Sequence, residues 1–579
     1  MKTDNEIGPQ GHPTRRVGMS SLGLGAGYRR HWLRPDLVAG LTTAAVVVPK
    51  AMAYATVAGL PVEVGLYTAF VPMVIYAILG TSRPLSVSTT TTLAILTGTQ
   101  LALVAPGGDP AALLTASATL AFLVGIMLIL ASVLRLGVVA SFISEPVLTG
   151  FKAGVGLVII LDQVPKLLGI HFEKGGFLEN LLALIQQLPE TSVVTLVVGI
   201  AMLAILVGME RFVPRAPAPL VAVGLGIAAS ALFALQGHGV ETVGHIPQGL
   251  PPFTAPRLDL IAQLWPGALG IALMSFTESI AAARAFAIRG EPRPEPNREL
   301  LATGVGNAVG GLFSGMPAGG GTSQTAVNRH AGARTRVAGL VTAAAALATL
   351  VFLSPLMGLM PQATLAAVVI VYSIGLIQPA EFGAILRIRR MEFLWALAAF
   401  AGVVLLGTLK GIVVAIIVSL VALAYQAAHP RVYVLGRKPG TDVFRPRSAE
   451  HPEDESVLGL LLVRPEGRIF FANAQRIGEQ LLPLVEAAGP RVLAIDFSAV
   501  PDIEYSALKM LIEGEERLRE RGVLLWLVAL NPEVLGMVQR SSLGETLGRE
   551  RLLFNLQTAV DRFRSQDAAQ GGIETAGAD

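Results

Sequence analysis

Long apolar stretches separated by short polar loops run from residue 37 to residue 428, and shorter alternating blocks follow. A helix that crosses a bilayer needs about 20 mostly apolar residues. On that measure the spacing predicts segments near 37–58, 65–80, 88–105, 112–134, 140–162, 191–209, 217–236, 265–288, 299–314, 321–333, 337–360, 362–378, 391–408 and 410–428. The pattern is that of an α-helical multi-spanning membrane protein. Two of the segments, 88–105 and 321–333, are short, rich in Thr or Gly, and follow extended-looking sequence, so they read as half-helices. They stand third and tenth, equivalent places in two sets of seven. Interrupted helices at matching positions mark the central site of a transporter built from inverted repeats. The predicted array is therefore 14 segments, and a division into two sets of seven would invert one half relative to the other, because seven is odd.

Basic residues orient this array. With the N-terminus inside, the cytoplasmic loops hold Arg83, Arg135, Arg211 with Arg215, and Arg284 with Arg289, Arg293 and Arg298. Arg329, Arg334 and Arg336 follow, then Arg387, Arg389 and Arg390, whereas the outer loops hold only scattered cations such as Lys166, Lys174, Arg257 and Lys410. By the positive-inside rule both termini face the cytoplasm. Residues 1–35 form a tail with Arg15, Arg16, Arg29, Arg30 and Arg34, and are too polar for a signal-peptide core.

Beyond residue 430 a soluble α/β pattern takes over. Residues 431–456 read as a linker and the start of a domain that occupies 457–565, and 566–579 as a disordered tail. Apolar runs at 457–463, 468–472, 491–497 and 523–529 predict strands, and 474–487, 504–520, 531–540 and 556–565 predict helices.

Composition agrees with a membrane assignment: 53% of residues are hydrophobic and 15% charged, against about 25% charged in soluble domains. The absence of Cys removes disulfides, thiol catalysis and thiolate metal sites. The eight His lack metal-ligand spacing, and Gly319–Gly321 is not followed by the Gly-Lys-Ser of a nucleotide loop. No enzyme, metal, cofactor or nucleic-acid partner is expected; the lipid bilayer is.

Ionisable residues inside apolar spans are costly and tend to be functional. Lys50 lies about 20 Å along its helix from Asp36, counted at about 1.5 Å per residue, beside the helix-breaking Pro49. Glu278 is near the middle of the eighth segment, the counterpart of the first. The two are expected to face one cavity, with Glu278 the proton-coupling group: ionised it neutralises Lys50, protonated it leaves a cationic site for an anion. A snorkelling Lys50 and a structural ion pair are the bland alternatives. The half-helices open with Ser88, Thr89 and Thr90 and with Gly321, Thr322, Ser323 and Gln324. Helix starts offer free N–H groups and a positive dipole end to an anion, although Thr and Gly also serve plain helix packing.

These residues resemble the sulfate permease family, also called solute carrier family 26. The likeness begins at Asp36-Leu37-Val38-Ala39-Gly40-Leu41-Thr42 and continues through Met52-Ala53-Tyr54-Ala55, Ala58-Gly59-Leu60-Pro61, Gly65-Leu66-Tyr67 and Gly80-Thr81-Ser82-Arg83. It returns at the tenth segment with Gly332-Ala333-Arg334-Thr335-Arg336 behind it, and spans about residues 34–565. The resemblance implies 14 segments as a 7+7 inverted repeat, a core domain moving against a gate domain, an anion between the starts of the third and tenth helices, and a C-terminal STAS domain. It also implies site roles for Lys50, Tyr54 and Ser323, an acidic position at Glu278, a homodimer, and a cytoplasmic partner for STAS. The chain departs from the family pattern at three places: Lys50 replaces a common Gln, Gln324 stands where part of the family has a basic residue, and Ser88-Thr89 replaces Gly-Pro. The positive charge is thus expected on the first helix instead of the tenth. In STAS, Glu504-Tyr505-Ser506-Ala507 replaces the phosphorylated Asp-Ser-Ser-Gly of related regulators, making Ser506 a candidate phosphosite or simply a structural turn.

The expected function is secondary transport of a small inorganic or carboxylate anion, such as sulfate or bicarbonate, across the cell (inner) membrane with proton coupling. The alternatives are sodium-coupled bicarbonate transport, an anion channel, and a membrane-tethered sensor signalling through STAS.

Overall fold

The computed structural model describes residues 29–137, 144–172, 175–214, 216–287 and 293–575. Most of the N-terminal tail, including Arg15 and Arg16, lies outside the described residues, as do Lys174, Arg215, Arg289 and the last four residues. The chain divides into two compact units, Met1–Leu420 and Val421–Asp579.

The first unit is helical. Its elements are α1 (Leu33–Val57), α2 (Val62–Leu79), β1 (Val87–Ser88), α3 (Thr91–Val104), α4 (Pro110–Val133), α5 (Glu145–Leu168), α6 (Phe177–Gln187), α7 (Val193–Phe212) and α8 (Ala218–Phe233). Then come α9 (Ile261–Ala285), α10 (Pro296–Leu312), β2 (Gly319–Gly320), α11 (Thr322–His330), α12 (Val337–Ala348), α13 (Ser354–Gly358), α14 (Gln362–Ile374), α15 (Pro379–Ile388), α16 (Arg390–Leu406) and α17 (Thr408–Ala428), whose last turns belong to the second unit. Helices α12 and α13 are joined by a π-turn over Thr349–Leu353 and form one apolar rod. Among the described residues, nine helices are long and apolar enough to cross a membrane by length and composition.

The two segments read as half-helices are short: α3 has 14 residues and α11 has 9, each preceded by a two-residue strand. The sequence pattern misses α6 and α15. Helix α6 is amphipathic, with Leu178, Leu181, Leu182 and Ile185 exposed; that spacing is one helix face, but 11 residues are too few for a span-length window.

Small residues set the packing. A Cβ at Gly65 of α2 would collide with the Ala51 carbonyl of α1, and one at Gly150 of α5 with the Ala396 carbonyl of α16; such close approach drives helix association in lipid. Helices α1–α4 and α9–α12 pack as one group, and α5, α7, α8, α14 and α16 as another, with α1 touching α8 and α14 between them. Buried carboxylates pin the loops of the first group. Asp36 accepts from the Arg334 and Thr335 N–H groups at 2.7 and 3.0 Å and from the Thr335 hydroxyl at 2.6 Å. Glu299 accepts from Tyr76 Oη at 2.8 Å and Thr81 N–H at 2.7 Å, which fixes the approach to β1.

The second unit contains β3 (Val432–Arg437), β4 (Phe444–Pro446), β5 (Leu460–Pro465), α18 (Ala474–Ala488), β6 (Val492–Asp496), α19 (Tyr505–Glu520), β7 (Leu524–Val528), α20 (Pro532–Gln539), α21 (Ser542–Leu547), β8 (Leu552–Leu553) and α22 (Leu556–Thr575). One sheet has the order β4-β3-β5-β6-β7-β8, parallel from β5 to β8 and antiparallel at β3 and β4. The reading of 431–456 needs refinement, because β3 and β4 are sheet members. Val432 and Val434 face one core and Tyr433 and Leu435 the other, an alternation hidden by the surrounding charge. The run 468–472 is not a strand; Ile469 makes one bridge to Ile503, and Asn473 accepts from the Phe470 N–H and turns the chain into α18. Helix α22 continues to Thr575, beyond the predicted domain end.

Candidate functional site

Strands β1 and β2 pair antiparallel, with Val87 opposite Gly320 and Ser88 opposite Gly319. Each runs directly into a short helix, so α3 and α11 leave from opposite ends of the pair and direct their N-termini back at it. Side chains from neighbouring helices hold the crossing rigid. Gly320 N–H donates to Ser279 Oγ at 2.7 Å, Ala318 N–H to Asn307 Oδ1 at 2.8 Å, and Ser86 N–H to Thr325 Oγ1 at 3.1 Å. A Cβ on Gly320 would come 2.9 Å from Ser279 Cα, so glycine is what lets β2 sit against α9.

The two helix starts differ. Thr90 caps α3 by accepting from Leu93 N–H at 3.3 Å. No side chain caps α11, and its first intrahelical bond is Thr325 N–H to Gly321 O. The N–H groups of Thr322, Ser323 and Gln324 precede that bond, and the Thr322 and Ser323 side chains are exposed. An uncapped helix start of this kind is an anion-binding element.

Lys50 is aimed at it. Its side chain, 3% exposed, donates from Nζ to Ser323 Oγ at 2.6 Å. The same ammonium lies 3.7 Å from the ring centroid of Tyr372 on α14 and 5.9 Å from that of Tyr54. Thr91 donates to Tyr54 Oη at 2.8 Å. Ser88 Oγ donates to Gln324 Oε1 at 3.0 Å, and Gln324 Nε2 donates to Ser86 O at 2.8 Å. Among the described residues, the buried hydroxyls of Ser86 and Thr89 find no hydrogen-bond partner, an arrangement that costs free energy unless something else satisfies them. Glu278, also buried, accepts from Thr90 Oγ1 at 2.8 Å.

Thus Lys50, Tyr54, Ser88, Thr89, Thr90, Glu278, Gly321, Thr322, Ser323 and Gln324 all meet at the β1–β2 crossing. Lys50 and Glu278 are engaged by different hydroxyls, and among the described residues no ion pair joins them, which speaks against the alternative of a structural ion pair. A further carboxylate, Glu210 near the end of α7, is close enough for its charge to act on Lys50. Sequence reasoning missed Glu210 because it falls one residue beyond the predicted segment 191–209, and missed Tyr372 because an aromatic residue inside an apolar span carries no charge signal. Ser506 belongs to the second unit, exposed at the second position of α19. Among the described residues no group of three or more His, Asp or Glu is placed to hold a metal ion.

Residues 33–399 match the model of the sulfate permease family, and residues 450–559 that of the STAS domain. The chain is 35% identical over 542 residues to a probable sulfate transporter of Mycobacterium tuberculosis, covering 93% of this chain and 96% of that one. Its fold is similar to murine solute carrier 26 family member A9, an anion transporter solved in the inward-facing state, with a TM-score of 0.86 at 22% identity over 94% of each chain. It is also similar to the transmembrane domain of the cyanobacterial bicarbonate transporter BicA, with a TM-score of 0.60 at 25% identity over 67% of this chain and 98% of that one.

Proposed function

This chain belongs to the sulfate permease family, and from that premise we propose that it is a secondary transporter moving a small oxyanion by alternating access through the β1–β2 crossing. The observation that carries the proposal is the buried Lys50 ammonium held 2.6 Å from Ser323 Oγ at the uncapped start of α11. An anion there meets a full positive charge, the N–H groups of a helix start and the hydroxyls of Ser323 and Thr322. Removal of water from such a site strengthens each of these attractions.

The Lys50 ammonium sets the charge balance. Sulfate carries two negative charges, and an ionised Glu278 beside Thr90 opposes their entry. Protonation of Glu278 removes that opposition, so uptake of a proton and of the dianion are coupled in this reading. Helix α14 supplies Tyr372 to the same ammonium, which ties Lys50 to the second helix group. The distribution of arginines supports cytoplasmic termini, with STAS as a cytoplasmic module that pairs two copies or binds a partner. Sodium-coupled bicarbonate uptake is the reading that competes most closely, since one Lys also suits a monovalent anion.

Counterflow in proteoliposomes tests the proposal. Vesicles preloaded with unlabelled sulfate accumulate labelled sulfate transiently above equilibrium if the protein is a carrier. Simple equilibration denotes a channel, and the absence of flux a sensor; either outcome removes the carrier reading. Sodium dependence of bicarbonate counterflow separates the competing transporter.

A further inference from the structure

The STAS domain contains a cavity of about 510 Å³ between its sheet and the pair α18 and α19. Ile477 and Leu481 of α18, Leu511 and Leu518 of α19, Ile495 of β6 and Phe497 just beyond it make the lining mostly apolar. The size is that of a small-molecule pocket. Apolar lining left without an occupant forgoes van der Waals contacts and offers water few partners.

Two glycines keep this space open. Gly478 lies in the interior of α18 and Gly514 in the interior of α19, and both line the cavity. Neither adopts a left-handed conformation, and a Cβ added to either would meet nothing within 4 Å. Glycine in a helix interior is among the costliest choices available, and here no turn or close backbone approach requires it. What the two glycines do is leave room between facing helices.

The charged residues that line the cavity are Glu479, Glu513, Arg517 and Arg521. Arg517 pairs with Glu513 at 3.5 Å and Arg521 with Glu486 at 3.2 Å. The arginine side chains are 69% and 54% exposed, and surface pairs of this kind are weak, so either guanidinium is free to exchange its partner for another carboxylate. On α19 the positions 507, 511, 514, 518 and 521 form one stripe, which runs from apolar residues and the glycine to Arg521.

We propose that this cavity binds one molecule of a fatty acid, its aliphatic chain between α18 and α19 and its carboxylate on Arg517 and Arg521. The site is separate from the β1–β2 crossing and does not depend on the transported anion.

The test is photolabelling of the whole 579-residue chain in lipid nanodiscs with diazirine-tagged lauric acid, followed by peptide mapping. The proposal predicts label on peptides from 474–488 and 505–520, displaced by excess lauric acid and much less by lauryl alcohol. Gly478→Leu combined with Gly514→Leu fills the space and is expected to lower that labelling about tenfold while the melting temperature holds or rises. Arg517→Gln with Arg521→Gln should abolish the preference for acid over alcohol. Label confined to the membrane helices of the wild type, or equal displacement by acid and alcohol, overturns the proposal without any substituted protein. Undiminished STAS labelling in the glycine variant overturns it as well.

Discussion

Lys50 Nζ donates to Ser323 Oγ at 2.6 Å across 273 positions of sequence. The contact joins α1, one of the long apolar helices, to the first turn of α11, one of the shortest. It places a buried ammonium at a helix end that no side chain caps. Replacing Ser323 by Ala leaves the charge and removes the hydroxyl. A hydrogen bond to a charged group contributes about 1.5–3 kcal/mol, so sulfate affinity should fall roughly tenfold or more with folding intact, since the side chain is exposed. Isothermal titration checks this; unchanged affinity would place the anion elsewhere.

Tyr372 bridges the two helix groups, its ring centroid 3.7 Å from the same ammonium. A desolvated cation–π contact contributes about 2 kcal/mol, and an anion on Lys50 weakens it. In the proposed cycle the contact slows the return of the unloaded carrier, so exchange outpaces net proton-coupled uptake. Tyr372→Leu should raise the ratio of net efflux to exchange, and Tyr372→Phe should restore the wild-type ratio. If Leu and Phe behave alike, the ring face has no part in the cycle.

Glu278 accepts from Thr90 at the start of α3. In the proposed mechanism its protonation admits a dianion, so sulfate uptake rises as external pH falls. Glu278→Gln mimics the protonated form and should flatten that dependence while binding persists. Uptake by the variant with an unchanged pH profile would assign coupling to another group.

In the STAS domain, Arg445 donates from Nε and Nη2 to the two Asp454 oxygens, each at 2.8 Å. This guanidinium holds the Asp454 carboxyl below the ordinary carboxylate range. A depressed folded value stabilises the domain above the unfolded pKa, about 3.9 for Asp, and the contribution is lost as pH falls through the folded value. Asp454→Asn should thus lower stability in urea by a constant amount from neutral pH down to about 5, with the gap closing below about 4. A gap that persists in strong acid would mean the carboxylate charge is irrelevant.

Much of this arrangement was legible from residues alone. Apolar run length located the helices, and the Thr-rich and Gly-rich starts located α3 and α11, because helix N-termini carry a local signature. Lys50 and Glu278 stood out as charges inside apolar spans. Their partners did not, because Ser323 and Thr90 reach them through tertiary packing that no local pattern encodes. Tyr372 lies on α14, whose proximity to α1 depends on the same packing, and Glu210 falls just past the end of its predicted span. In the STAS domain, β3 was obscured because its alternating Val432, Tyr433, Val434 and Leu435 serve two cores within a charged stretch. The cavity glycines were invisible for a related reason: Gly478 and Gly514 look like ordinary helix interruptions until their open side is seen.

The central claim is that Lys50 supplies the positive charge for a transported oxyanion, and titration of sulfate into the protein with Gln in place of Lys50 tests it most directly. Removing a buried charge partner costs about 2–5 kcal/mol, so Lys50→Gln should weaken sulfate binding by at least about thirtyfold, while Gln at that position keeps the helix folded. Wild-type affinity in the variant would contradict the account.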